Sequence, residues 1–473
     1  MENKKARNLI VLVLMLGSFL TGLAQTVLTS ALPSIMHDFS VTADTAQWLT
    51  SVYMLVLGVM IPATAYLISN FHTRKLYMSA MSLFFIGCAI SIFTKNFSLL
   101  IVSRISQAMG AGIIMQLVQV SMISLYPKEE RGTAMGIYGF VVGVAPAIGP
   151  TASGYVIDNF GWRISFYILG FIAILDIIFA HFTLKNVTET KKSKLEFISL
   201  ILSTFGFGGL LIGVSNFGAY SISNPLTYIP ITVGIVSLIL FIIRQFKVNS
   251  PLLNLRVLKS KQLVISIIIL MILYASFTSA TMILSLYIQS TRKMSAMIPG
   301  LVMLPGSILM SLLSPISGRI LDKHGVRILA ISGFVCLAIG TFSFSNLSET
   351  TSILMLTIMY SFRMLGITLL LMPITTWGLN SLKSSEIADG SAIGSTLRQV
   401  AGAIGSSVFI SIMTSVTKHS LSNSKVISDI AGMDAAFRSA TILVLIGLVI
   451  SLIYVKDKKI KSKKVDNENL ILE

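Results

Sequence analysis

The chain has 473 residues, 54% hydrophobic and 12% charged, with a formal net charge of +17. A soluble protein carries about 25% charged residues, so this composition excludes a water-soluble globule. The two cysteines, Cys88 and Cys336, both lie in apolar stretches and exclude a disulfide framework or a thiolate metal site.

Apolar runs of about 20 residues recur from end to end, each long enough to cross a hydrocarbon core of about 30 Å. Lipid offers no partners for backbone N–H and C=O, so the runs are predicted to be helices. The short alternating segments of a membrane β-barrel are missing. The predicted spans are 8–31, 46–70, 76–94, 98–124, 133–157, 162–184, 196–216, 226–247, 262–288, 296–320, 327–346, 352–380, 390–416 and 436–455. The class is an all-α polytopic membrane protein of fourteen spans.

In chain order, the first run follows Lys4, Lys5 and Arg7. It is too long for a signal peptide and lacks a small-residue cleavage site, so it reads as a retained helix. It carries LAQTVLTSALPSI, with Gln25 and Thr29, and Asp38 stands near its far end; TAQWLTSVYML, with Tyr53, opens the second span. The fourth span contains RISQAMGAG, from Arg104 to Gly112, and then Gln116. An arginine this deep is costly unless it meets polar partners or water, so it either serves the mechanism or snorkels. The fifth span reads GFVVGVAPAIGPTASGYV, where Gly143, Gly149 and Gly154 permit close helix packing and Pro146 and Pro150 impose bends. In the sixth, Asp176 lies about 14 residues from the span's start, roughly 21 Å deep at ~1.5 Å per residue. It is a candidate proton carrier, or else a static partner for a neighbouring helix. Spans seven and eight offer no chemistry. The ninth carries Tyr274, and the twelfth carries Tyr360, Arg363, Trp377 and Asn380. After span ten comes GRILDKHGVR: Gly318 lets two helices approach, Gly325 permits a tight reversal, and Asp322 can face a helix N-terminus or a basic residue. Lys323 and Arg327 stay with the cytoplasmic surface. The basic run from Lys456 to Lys464 fits a stop anchor beside anionic lipid rather than a nucleic-acid site.

Lysine and arginine orient the chain. With both termini cytoplasmic, Lys95, Arg163, Arg292, Lys293, Lys418, Lys425 and Arg438 fall outside, Arg104, Arg363 and Arg398 fall within spans, and the rest fall on the inner side. That asymmetry follows the positive-inside rule.

The two halves repeat. AYLISNFHTRKLYMSA from Ala65 aligns with GRILDKHGVRILAISG from Gly318, Arg104 with Arg363, and PAIGPT from Pro146 with GAIGSS from Gly402, at offsets of 253, 259 and 256. A parallel duplication is the pattern of transporters whose two bundles rock about a central site. The expected domains are a six-helix bundle over 1–190, an inserted pair with its loops over 191–255, a second bundle over 256–456, and a cytoplasmic basic tail over 457–473. In the first copy of the loop the glycines and the acid are replaced by Ala65, Ser69 and His72, while Arg74 and Lys75 are kept.

GRILDKHGVR resembles the loop signature of the major facilitator superfamily, there a gating loop between the second and third helices of a bundle. RISQAMGAG resembles the fourth-helix motif of drug/proton antiporters, which implies a part for Arg104 in proton coupling. The fifth span is similar to the motif that marks exporters in the superfamily. With the first-span and second-span segments, WRISFYI and GSTLRQVAGAIGSS, the likeness extends from about Asn8 to Val416. It is to the fourteen-span EmrB/QacA-type drug/proton antiporters, and within them to the lincomycin-exporter branch. The resemblance implies a monomeric protein of the bacterial plasma membrane, working by alternating access.

Many family members have an acid where this chain has Ala24 beside Gln25, and span thirteen has no acid. Proton coupling therefore points to Asp176 and Arg104, with Asp322 or Asp38 next in line. Gln25, Thr29, Tyr53 and Gln116, with Tyr274, Tyr360, Trp377 and Asn380, lie on spans expected to line a central cavity, as ligand contacts or as interhelical polar groups. A cavity poor in acids favours neutral or singly charged amphiphiles over dications. The expected function is proton-driven export of amphipathic drugs such as lincosamides; the alternative is export or flipping of an endogenous lipid, glycolipid or metabolite. No cofactor, metal or nucleic acid is expected, because no paired-carboxylate site, His or Cys cluster or GxxxxGK[ST] loop is present.

Overall fold

A computed structural model describes residues 4–187, 196–217, 223–249, 251–295, 297–420 and 424–457. Among these residues are 14 helices long and apolar enough to cross a membrane, and no strand. They are α1 (Lys4–Phe39), α2 (Ala43–Asn70), α3 (Thr73–Phe93), α4 (Phe97–Leu125), α5 (Arg131–Phe160), α6 (Trp162–Thr183) and α7 (Phe197–Phe217). There follow α8 (Pro225–Lys247), α9 (Lys261–Leu286), α10 (Met297–His324), α11 (Arg327–Phe342), α12 (Ile353–Leu379), α13 (Ile387–His419) and α14 (Lys425–Tyr454). Residues 458–473 of the expected tail and the side chains of Thr29 and Pro150 lie outside the described residues.

Helix starts are fixed by side chains that accept orphan backbone N–H groups. Thr42 caps α2, Asn96 α4, Asn224 α8, Ser260 α9 and Ser352 α12. The sharpest turns fall at Gly161 and Gly325, both at φ +84°, where a side chain would be strained.

Several helices outrun their apolar segments. α1 continues to Phe39 rather than 31, α10 to His324 rather than 320, and α14 starts at Lys425 rather than 436. Polar turns stay helical beyond the hydrocarbon where their side chains find partners and no Gly or Pro intervenes. Asp38 shows this: Trp162 Nε1 donates to its Oδ2 at 2.9 Å and Arg163 at 2.8 Å. The Trp162 bond first, and Arg163 with it, hold the Asp38 carboxyl below its usual range. One expectation is corrected here: Gly318 and Asp322 lie on the last turns of α10 rather than in a loop, and only at Gly325 does the chain reverse.

Helices α1–α6 pack on one another, as do α9–α14; α7 packs against α2 and α13, and α8 packs on the outside of α7. Small residues bring α7 and α8 close, in the manner of membrane helix pairs: a methyl group on Gly209 would sit 2.7 Å from the Pro230 carbonyl oxygen. Arg244 closes the end of this pair by donating to both Glu196 oxygens, at 2.7 and 2.6 Å. That pairing takes the Glu196 carboxyl down to about 2. The outward face of α8, with Ile229, Val233, Val236, Leu240 and Ile243 exposed, suits lipid.

Candidate functional site

The two bundles meet along α5 and α10. Gly132, Gly136, Gly139 and Gly143 follow at steps of four, three and four residues, so they share one face of α5. On that face a methyl group at Gly136 would meet the Ser314 carbonyl, one at Gly143 the Ser311 hydroxyl, and one on Gly318 of α10 the Gly132 carbonyl. Past Gly143 the helices part. Gly149 abuts Thr26 of α1, whereas Gly306 of α10 abuts Tyr360 and Met364 of α12. The seam therefore lies in the half of the molecule that bears the chain termini, where Arg7 pairs with Glu130 at 3.5 Å. Of the exporter-motif glycines, Gly143 serves this seam and Gly149 the contact with α1; Gly154 has open space where a side chain would be. Pro146 lies between the two contacts.

Asp322 bolts the seam. Its Oδ1 accepts from Gly132 N at 2.7 Å, and its Oδ2 accepts from Thr133 N at 2.7 Å and Thr133 Oγ1 at 2.6 Å. A carboxylate of one bundle thus caps the first turn of a helix in the other, where orphan N–H groups and the helix dipole favour negative charge. Nearby, Arg131 donates to Asn380 Oδ1 at 2.9 Å, and Ser391 Oγ donates to Gln116 Oε1 at 2.9 Å. Gly325 lies against Asp457, whose Oδ1 accepts from Val326 N at 2.7 Å and Arg327 N at 3.1 Å.

The first-half copy is built differently. Asn186 Oδ1 accepts from Thr73 N at 3.0 Å and so caps α3, as Asp457 caps α11. Arg74 is half-buried and Lys75 exposed beside it. Where symmetry would place an acid, Ser69 instead lines a polar cavity with Ser124, Arg131, Ser384 and Ser385.

Arg104 is fully buried and, among the described residues, has no carboxylate partner. It donates to Gln107 Oε1 at 2.6 Å and to the Ala24 carbonyl at 3.3 Å, and lies 4.2 Å over the Tyr53 ring. Tyr53 in turn donates to the Thr21 carbonyl at 3.2 Å. Arg363, also fully buried, repeats the arrangement: it donates to the Ser276 carbonyl of α9 and to Thr341 Oγ1 at 3.2 Å, and its second terminal nitrogen has no partner. Each arginine ties the fourth helix of its bundle to the first.

Asp176 is buried between α1, α3 and α6. Tyr77 Oη lies 2.6 Å from its Oδ2 and 2.8 Å from the Val13 carbonyl, while Oδ1 has no partner. A phenol has one proton to give. Both short contacts are satisfied when the carboxyl itself carries a proton and donates to Tyr77, which donates to Val13.

The expected cavity residues divide. Gln116 and Tyr274 lie at the cleft between the bundles, Tyr274 beneath Arg398 at 4.8 Å. Gln25 of α1 donates to Met54 Sδ at 3.3 Å, and Trp377 accepts a hydrogen bond through its backbone carbonyl from Gln262. Tyr53 and Tyr360 pack within their own bundles, Tyr53 beneath Arg104 of α4 and Tyr360 against Gly306 of α10. Asn380 belongs to the closed end with Arg131, not to the cavity. Composition cannot say which face of an all-apolar helix looks inward.

Residues 14–406 match the Major Facilitator Superfamily profile. The chain belongs to this superfamily. It is 42% identical to the Bacillus subtilis "Uncharacterized MFS-type transporter YcnB", over 94% of each chain. It is 37% identical to the "Lincomycin resistance protein LmrB" of the same organism, over 93% of this chain and 94% of that one. The solved human organic anion transporter MFSD10 shares the fold at a TM-score of 0.67 and 14% identity, with 94% of this chain and 99% of that one covered. As a major facilitator the chain is a multi-pass cell-membrane transporter and not an enzyme.

Several residues of the superfamily's inter-bundle contact in this chain were not singled out from sequence. Thr133 and Arg131 open α5 and carry no motif of their own. Gln119 and Arg398 line a small cavity of about 10 Å³ between the bundles, with Thr375, Ser391 and Ser395. For Arg398 a signal existed, a cation within a span, but its surroundings had to be seen.

Proposed function

We propose that the chain exports amphipathic, neutral or singly charged drugs, lincosamides among them, in exchange for protons, by alternating access about the cleft between its bundles. The observation that carries this reading is kinship along nearly the whole chain, 37% identity, with a protein named for lincomycin resistance. The geometry supports it. A few hydrogen bonds close one end of the cleft: the three on Asp322, Arg131 to Asn380 and Ser391 to Gln116. All can be exchanged for water, as rocking bundles require. With both termini cytoplasmic, as the lysine and arginine distribution has it, this is the conformation shut toward the cytoplasm.

Proton coupling is assigned to Asp176 and Arg104 of the first bundle. In the conformation seen, the Tyr77 and Val13 contacts suit a proton-loaded Asp176 that clamps α3 and α6 to α1. Parting of α1 from α3 would break the clamp and let the proton go. Arg104 holds the same α1 through Ala24, so both groups sense one helix.

One observation favours the second reading, export of a lipid, glycolipid or metabolite. Among the described residues no Asp or Glu lines the small cavity of about 10 Å³ that holds Arg398 between the bundles, so a substrate head group there need not compete with a proton. Drug susceptibility separates the two. A deletion strain that becomes sensitive to lincomycin and is restored by the wild-type gene supports drug export. Unchanged sensitivity in a strain shown to have made the protein beforehand moves the lipid or metabolite to the front.

A further inference from the structure

Three arginines lie deep in the spans, and the structure treats them differently. Arg104 and Arg363 are fully enclosed and donate to carbonyls and side chains of their own bundles, with one terminal nitrogen of Arg363 left over inside its bundle and out of reach of the cleft. Arg398 is part-exposed, and its hydrogen bond is to Ser395 Oγ of its own helix, at 3.2 Å. It stands 11 residues into the 33-residue α13, roughly 16 Å from the closed end at ~1.5 Å per residue. The guanidinium lies 4.8 Å over the Tyr274 ring of α9. Around it are Gln119 of α4, Thr375 of α12 and Ser395, each nearly buried, and Tyr138 of α5 within reach of its charge.

Both bundles thus contribute to one polar spot at mid-depth, and its fixed charge is positive. A cation in a low-dielectric cleft, with donors left over and no carboxylate among the lining residues, is an incomplete ion pair. Guanidinium matches planar oxyanions through paired donors. Its aromatic neighbour holds it by a cation–π contact without using those donors. Leu263, Ile267 and Leu270 supply an apolar wall beside it.

We propose that Arg398 on Tyr274 is the head-group site of the transport cleft and that it takes the oxyanion of an amphipathic acid. The apolar wall takes the body, and cationic amphiphiles are repelled, so that a basic drug such as a lincosamide enters as its neutral base. The inference rests on the cleft being the transport site and narrows its substrates to neutral and acidic amphiphiles. Carboxylate and phosphodiester share the required chemistry, so a free organic acid and a lipid head group are the two sources.

The test uses the full chain in phosphatidylcholine nanodiscs, without any gradient. Two pyrene probes with the same body are compared by energy transfer from tryptophan: pyrenebutyrate, and pyrenebutyl-trimethylammonium. The expected result is that wild type prefers the carboxylate, and that Arg398→Gln weakens it by at least about tenfold, the scale of one charge-assisted pair, without weakening the ammonium probe. Arg398→Lys retains part of the preference, since it keeps the charge and loses the fork. Because phosphatidylcholine itself carries a phosphodiester, the sources are distinguished in micelles of an uncharged maltoside detergent: pyrenebutyrate displaced by dihexanoyl phosphatidylglycerol but not by octanoate assigns the site to a lipid phosphodiester, and displacement by octanoate but not by the lipid assigns it to a free acid. Equal binding of the two probes to wild type overturns the inference, and needs no variant to fold. A carboxylate affinity unchanged in folded Arg398→Gln does the same. Either outcome leaves proton-driven export untouched, because no transport is measured.

Discussion

Asp322→Asn tests the bolt. In the wild type one carboxylate serves three donors of α5: Gly132 N, Thr133 N and Thr133 Oγ1. An asparagine keeps one acceptor oxygen and turns an NH2 toward a backbone N–H, so at least one donor in a partly buried seam loses its partner. A charged group at a helix N-terminus is worth up to ~2 kcal/mol in such a setting, and a hydrogen bond to a charged group about 1.5–3 kcal/mol. Taking ~2 kcal/mol as the net loss, at ~1.4 kcal/mol per decade, the balance between closed and open at this end shifts roughly 30-fold. The assay starts from a chain freed of Cys88 and Cys336 and places a single cysteine at Ser391, which is buried at the closed end. A membrane-impermeant maleimide applied from the terminus-bearing face then reads opening. The expected change on adding Asp322→Asn is a labelling rate more than about tenfold higher from that face, with a fall from the other. A rate within about twofold of the parent would refute the idea that this carboxylate holds the bundles shut.

Gly318→Ala attacks the same seam sterically, because the methyl would strike the Gly132 carbonyl, a backbone atom that cannot yield. It should cost about 1–3 kcal/mol of the closed state and raise labelling in the same assay, whereas Gly154→Ala, with open space, should leave it unchanged. Asp176→Asn still offers Tyr77 a side-chain partner but carries no exchangeable proton. Gradient-driven export should fall by more than about tenfold while thermal stability stays close to wild type; retained gradient-driven export would reduce Asp176 to a clamp. The Glu196–Arg244 pair predicts a pH dependence of α7–α8 docking. Its folded value, about 2, lies below the usual 4.5, so its contribution is complete above about 4.5 and is lost as pH falls from there through about 2. Glu196→Gln should therefore lower the melting temperature at pH 7 and make little difference at pH 2, and an equal deficit at both would show that the pair is not the cause.

Much of this was legible in advance because lipid leaves so few options. Long apolar runs had to be helices, and GRILDKHGVR offered an acid, Asp322, to face either a helix N-terminus or a basic residue; it faces the N-terminus of α5. What could not be read was the partner. Gly132 and Thr133 lie about 190 residues away from Asp322, and nothing in their own neighbourhood announces the contact. The faces of the helices were equally hidden: Tyr53 and Tyr360 were expected in the cavity, yet each packs inside its own bundle beside a buried arginine. An amphipathic stripe reveals orientation in water, but a helix surrounded by lipid and protein is apolar on every side. Helix ends were underestimated for a related reason. Hydropathy sees only the hydrocarbon core, whereas Asp38 stabilises two further turns of α1 through Trp162 and Arg163.

The central claim, drug export exchanged for protons, is met most directly by uptake of labelled lincomycin into inside-out membrane vesicles with the lumen made acid. Uptake that requires the gradient, collapses on adding a protonophore and is missing from vesicles lacking the protein is the predicted result. No uptake by protein shown to be present and folded, or uptake indifferent to the gradient, would contradict it.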